Sequence, residues 1–97
     1  MIVTMLEARV ASDREADLEA AYGTKLTDEL PPMILGTFLL HESGGDLWRI
    51  VTVWRSREEL DAYRASVETP AGVLDFRAAG AEPSLTVFDV ATHIGPW

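Results

Sequence analysis

Hydrophobic and polar positions alternate from Ile2 to Val10, with Ile2, Thr4, Leu6 and Ala8 on one side and Val3, Met5, Glu7 and Arg9 on the other. A period of two residues predicts a strand. The period then lengthens. Leu18, Tyr22, Leu26 and Leu30 recur every four residues, the buried stripe of a helix. Ser12-Asp13-Arg14-Glu15 stands before that stripe as a capping box, in which the Ser12 hydroxyl accepts from the Glu15 amide. The helix is predicted from about Asp13 to Glu29. Pro31-Pro32 stops it, because proline lacks the amide proton and restricts the residue before it.

Two further strands are predicted at Ile34–Glu42 and Leu47–Arg55, joined by a hairpin turn at Ser43-Gly44-Gly45-Asp46. A second capping box, Ser56-Arg57-Glu58-Glu59, opens a helix whose stripe is Leu60, Tyr63 and Val67. Thr69-Pro70 reads as the N-cap and first position of a short helix that ends near Gly80. A last strand is expected from Ser84 to Thr92. The order β-α-β-β-α-β predicts an α+β, ferredoxin-like fold with a four-stranded antiparallel sheet, built as a single domain over residues 1–97.

Pairing the hairpin with Ser43 opposite Asp46 sets His41 against Trp48, Leu39 against Ile50, Thr37 against Thr52 and Leu35 against Trp54. These eight share one face of the sheet; Ile34, Phe38, Leu40, Leu47, Val51 and Val53 take the other. Right-handed crossovers place both main helices on the same side. The uncovered face would then be apolar and wet, although each large apolar side chain buried is worth roughly 1.5–3 kcal/mol. Pairing with a second copy resolves this, so a homodimer is expected.

Composition narrows the partners. A net charge of −8, with Lys25 as the only lysine and seven arginines spread along the chain, argues against nucleic acid. No apolar run approaches the ~20 residues of a membrane span, and no basic segment opens a secretory leader, so a cytoplasmic location is expected. Cysteine is absent, which removes disulfides, thiol nucleophiles and thiolate metal sites. Asparagine and glutamine are absent too, so no site here can use a neutral amide side chain. Two histidines without helical spacing make a poor metal site, and none is expected.

The run Val53-Trp54-Arg55-Ser56-Arg57-Glu58-Glu59-Leu60-Asp61-Ala62-Tyr63-Arg64-Ala65-Ser66 resembles the signature of the antibiotic biosynthesis monooxygenase-like family. Met5-Leu6-Glu7-Ala8-Arg9-Val10 is similar to the first strand of that family's haem-degrading branch. The resemblance implies a dimeric α/β barrel, with a pocket between helices and sheet on the Trp54 face and the Phe38 face inside the dimer. It also implies a choice among cofactor-free oxygenases, haem-degrading oxygenases, isomerases and members without known activity. The haem branch places an asparagine where Ala8 aligns and a haem-ligating histidine where Ala71, Gly72 and Val73 stand. Haem degradation is therefore not expected, and no cofactor is called for.

The candidate site residues are Trp54, for stacking on a flat substrate, and Tyr63, for a hydrogen bond or proton at a bound oxygen. His41 is a candidate general base at the hairpin end, and Trp48, Thr52 and Thr37 are candidate substrate contacts. Each has a plain structural alternative: aromatics on buried faces pack, and facing threonines satisfy each other. The expected function is a cofactor-independent monooxygenase-type reaction on a small aromatic or quinone-like substrate. The rival is a non-catalytic ligand-binding or assembly domain of the same fold.

Overall fold

The computed structural model describes residues 1–24 and 30–96. Strand β1 (Ile2–Arg9) is followed by a 3-10 turn at Ser12–Arg14 and helix α1 (Glu15–Gly23). Strands β2 (Ile34–His41) and β3 (Leu47–Trp54) form the hairpin. Helices α2 (Arg57–Ser66) and α3 (Ala71–Ala78) precede β4 (Ser84–Asp89). The sheet order is β2-β3-β1-β4, antiparallel at every pair, which is the ferredoxin-like arrangement.

The β2–β3 register agrees with the sequence-based pairing at three positions: His41–Trp48, Leu39–Ile50 and Thr37–Thr52. It departs from it at the fourth. A bulge between Ile34 and Gly36 pairs Ile34 with Trp54 and leaves Leu35 as the extra residue. Because an extra residue reverses the alternation, Ile34 joins the Trp54 face and Leu35, 47% exposed, does not.

The first capping box is not formed. Ser12 lies inside the 3-10 turn, no side chain caps either start, and the cap position of the turn is the extended Ala11. Arg14 does the local work instead, bonding Asp17 through Nε (2.7 Å) and the Ala78 carbonyl through Nη2 (2.9 Å), so it ties the start of α1 to the end of α3. Leu26 and the predicted end at Glu29 lie outside the described residues. The second box is half formed: Ser56 Oγ accepts from the Glu59 amide (3.2 Å), while the Glu59 carboxylate turns to Arg55. Pro70, not Thr69, occupies the cap of α3. Gly80, at φ +74°, closes α3: its amide bonds Arg77 O and the Ala81 amide reaches back to Phe76 O.

The core lies on the β1 face carrying Ile2, Thr4 and Leu6, under the helices. Leu18 of α1 and Phe76 of α3 are fully buried there with Val10, Trp48 and Ile50. A second cluster gathers Ile2, Trp54 and Leu60. The opposite face is bare: Phe38, Leu40 and Phe88 are each nearly half exposed. No described helix is long and apolar enough to cross a membrane.

Candidate functional site

Between the two clusters the helices do not close on the sheet, and a cavity of about 530 Å³ remains. That volume falls within the common range for small-molecule sites, about 300–1,000 Å³. Its floor is the helix-side face of the sheet: Thr4 and Leu6 of β1, Ile50, Thr52 and Trp54 of β3, and Ile34 and Thr37 of β2. One wall is α2, through Leu60, Tyr63 and Arg64; another is the turn from Thr69 into the first residues of α3. Glu68, Arg77 and Glu82 stand at its border.

The alternation of β3 puts Ile50, Thr52 and Trp54 on one face, and the helical stripe of α2 turns Tyr63 onto Trp54. Their rings meet at 5.2 Å with a 47° tilt. The Trp54 indole and the hydroxyls of Thr4, Thr37, Thr52 and Tyr63 each have a defined partner. Trp54 Nε1 donates to Thr4 Oγ1 at 2.9 Å. Tyr22 Oη donates to Thr37 Oγ1 at 3.1 Å, and Thr37 and Thr52 share one bond at 3.3 Å. The Ala71 amide, first in α3, donates to Tyr63 Oη at 3.1 Å.

Counting protons shows what is left over. A hydroxyl has one proton and two lone pairs. Thr4 and Tyr63 both accept in these bonds, so neither has spent its proton there. Thr37 and Thr52 have two protons and use one between them. The cavity therefore combines the Trp54 and Tyr63 rings and the apolar side chains of Leu6, Ile34 and Ile50 with several O–H donors. Such a lining suits a flat molecule bearing acceptor oxygens.

The structure thus brings Thr37, Thr52, Trp54 and Tyr63 to one cavity and leaves His41 and Trp48 out of it. Trp48, 3% exposed, is packed in the core between β1, α1 and α3. Its indole Nε1 is buried with no hydrogen-bond partner among the described residues. His41 stacks on Trp48 (centroids 4.0 Å apart, 9° between planes), and its Nε2 donates to the Gly45 carbonyl at 2.7 Å. An imidazole held in the hairpin turn does not serve as a base in this cavity. His93 lies on the exposed C-terminal segment, so no histidine lines the cavity. The donor set offers haem iron no imidazole, and Ala71, Gly72 and Val73 supply only apolar surface and backbone. Among the described residues no group of histidines and carboxylates is placed to hold a metal.

Thr4 was missed in the sequence, although its place in an otherwise apolar row marks it: it is a buried hydroxyl on the floor. Tyr22 was read only as part of a packing stripe, yet its hydroxyl orders the threonine pair. Arg64, Glu68, Arg77 and Glu82 carry no local pattern that points to a cavity.

Comparison with known proteins agrees with this architecture. The profile of the antibiotic biosynthesis monooxygenase family matches residues 1–79. The chain belongs to that family. No curated protein matches it. A Deinococcus radiodurans structure named for the same family superposes with a TM-score of 0.73 at 10% identity, covering 100% of this chain and 99% of that one. The haem degrader MhuD of Mycobacterium tuberculosis, with two haems bound, gives 0.68 at 24% identity over 98% and 100% of the two chains. SnoaB, a cofactor-independent oxygenase of Streptomyces nogalater, gives 0.68 at 15% identity over 98% and 97%. At these identities the likeness is one of fold, and that fold carries both kinds of chemistry in these neighbours.

Proposed function

We propose that this chain is a cofactor-independent monooxygenase-type enzyme acting on a small hydroxyaromatic or quinone-like substrate in the cavity beneath α2 and α3. The observation that carries the reading is the combination of the Trp54–Tyr63 wall with O–H donors whose oxygens already accept from the protein. Trp54 stacks on the flat ring, and Tyr63 gives its proton to a substrate oxygen. In such a reaction the substrate supplies the electrons: a phenol and O2 give a quinone and water, one oxygen atom entering the ring as the second carbonyl. The likeness to SnoaB, a cofactor-independent oxygenase, supports this class. The likeness to MhuD supports haem, but the cavity lacks the imidazole that reading needs.

The working unit is a homodimer. Phe38, Leu40 and Phe88 form an apolar sheet face with no helix over it, and a second copy related by two-fold symmetry covers it with the same residues.

The test is a panel of hydroxynaphthalenes and naphthoquinones, followed by tryptophan quenching and oxygen uptake. Wild-type protein should bind members of the panel and consume oxygen with at least one of them. Trp54→Phe and Tyr63→Phe should stay folded and lose ten-fold or more in binding or turnover, about 1.4 kcal/mol. Binding without oxygen uptake would favour a ligand-binding domain. No binding at all would leave Trp54 and Tyr63 as packing residues. Sedimentation of the same samples should show a dimer that Phe38→Asp dissociates, because that change sets a charge in the apolar interface; a stable wild-type monomer would overturn the assembly.

A further inference from the structure

The chain has seven arginines, and six of them hold a carboxylate: Arg9, Arg14, Arg49, Arg55, Arg57 and Arg77. The seventh is Arg64. It borders the cavity, its side chain is exposed, and among the described residues its guanidinium makes neither an ion pair nor a hydrogen bond. In a chain with 16 acidic residues against 8 basic ones, Arg64 is the arginine left free to pair with a ligand, while the other six are held by carboxylates of the chain.

Local structure keeps it free. Glu68 stands four residues on, the spacing that pairs Arg57 with Asp61 earlier in the same helix. Helix α2 ends at Ser66, however, and Val67 is extended (φ −126°, ψ 146°). The break removes the helical geometry that would bring Glu68 back onto Arg64, and both remain on the cavity border as separate charges. The other guanidinium at the cavity is committed: Arg77 is held by both oxygens of Glu82, at 2.9 and 2.8 Å.

We infer that the substrate carries a carboxylate on its aromatic frame and that Arg64 is the residue selecting for it; this rests on the cavity being the substrate site. Tyr63 and Arg64 are neighbours on α2, so one residue serves the wall and the next the mouth. A planar fork of N–H donors matches a carboxylate better than any other group bordering this cavity. The net charge of −8 does not oppose this at contact range, because salt screens distant charges beyond roughly 8 Å.

The experiment compares two probes of nearly equal shape, anthraquinone-2-carboxylate and anthraquinone-2-carboxamide, by tryptophan quenching at physiological salt. Wild-type protein should prefer the carboxylate by about five-fold or more, as a charge-assisted contact at a half-open site gives. Arg64→Gln should abolish the preference while leaving the carboxamide's affinity in place. Arg57→Gln makes the same charge change on the same helix away from the cavity and should keep the preference. Equal binding of both probes to wild type, a preference surviving Arg64→Gln, or its equal loss in Arg57→Gln would each overturn the inference and leave the cavity as a site. If neither probe binds, the inference and the site reading both fall.

Discussion

The two tryptophans of β3 share a strand, a face and nearly the same burial, yet they belong to different halves of the molecule. Around Trp48 the space is filled: Leu18, Phe76 and Ala79 come down from the helices, and His41 lies flat on the indole from β2. Around Trp54 the helices stand off, and the indole borders open volume with its N–H fixed on Thr4. The difference comes from what covers each end. Helices α1 and α3 pack on each other over the Trp48 end, tied by Arg14 to the Ala78 carbonyl. Helix α2 reaches the Trp54 end with little more than Leu60 and Tyr63. A tryptophan on a buried sheet face is therefore not evidence for a site until its neighbours on the covering layer are known.

The largest expected effect tests the filled half. Trp48→Ala should cost about 3–5 kcal/mol in denaturant melts, because removing a large side chain from close-packed surroundings leaves a void. Trp48→Phe should cost clearly less, since it also removes a buried indole N–H that has no partner among the described residues. In the Phe variant, quinone-probe binding should stay within about two-fold of wild type. If Trp54→Ala proves as destabilising as Trp48→Ala, the two halves are equally packed and the contrast fails.

A subtler change tests the boundary between them. Gly72, in the first turn of α3, lets the helix settle on the sheet: an added Cβ would stand 2.6 Å from Leu6 Cδ1 and 3.7 Å from Ile50 Cδ1. The close neighbour is the tip of a flexible side chain that lines the cavity, so Leu6 can turn aside, but only at the cavity's expense. Gly72→Ala should change stability by less than about 1 kcal/mol, since better helix propensity offsets the crowding. It should weaken aromatic-probe binding several-fold. Function lost without stability is the reverse of the pattern expected at Trp48. A melt lowered by several kcal/mol would show that the backbone, not Leu6, has to move.

How far the sequence reached follows from the same contrast. Period-two and period-four patterns marked β1, α1 and α2, because local alternation is set by burial on one side, while α3 was marked by Thr69-Pro70 and Gly80. The threonine pair and the Trp54–Tyr63 wall were legible because register and helical stripe are themselves periodic. The bulge at Ile34/Gly36 was not, since nothing local marks where one strand takes an extra residue; it moved Ile34 onto the cavity face. Ser12 kept its capping pattern but fell inside a 3-10 turn once Arg14 was drawn to Asp17 and Ala78. His41 and Trp48 were placed on the correct face and still missed the cavity, because filling depends on how α1 and α3 sit above them. Arg64 was invisible for a different reason: an unpaired charge is defined by partners that fail to arrive.

The smallest expected effect concerns the Arg77–Glu82 pair, the closed counterpart of Arg64 at the cavity border. The Arg77 guanidinium holds the Glu82 carboxyl below its ordinary range, chiefly through their hydrogen bonds; desolvation opposes this, and the opposite charge of Arg77 adds a smaller lowering effect. A carboxyl whose folded-state pKa is depressed contributes stability that is fully present above its unfolded pKa, about 4.3 for glutamate, and lost as pH falls through the folded value. Wild type should therefore be slightly more stable than Glu82→Gln at neutral pH, and the two denaturation curves should converge on acidification. Both partners are exposed, so the gap is small and should shrink further in high salt. The variant also releases Arg77 as a second uncommitted guanidinium at the cavity, so it should bind anthraquinone-2-carboxylate more tightly than wild type while binding the carboxamide equally. A gap that persists at about pH 2, far below the ordinary glutamate range, would mean that Glu82 acts by packing rather than by charge.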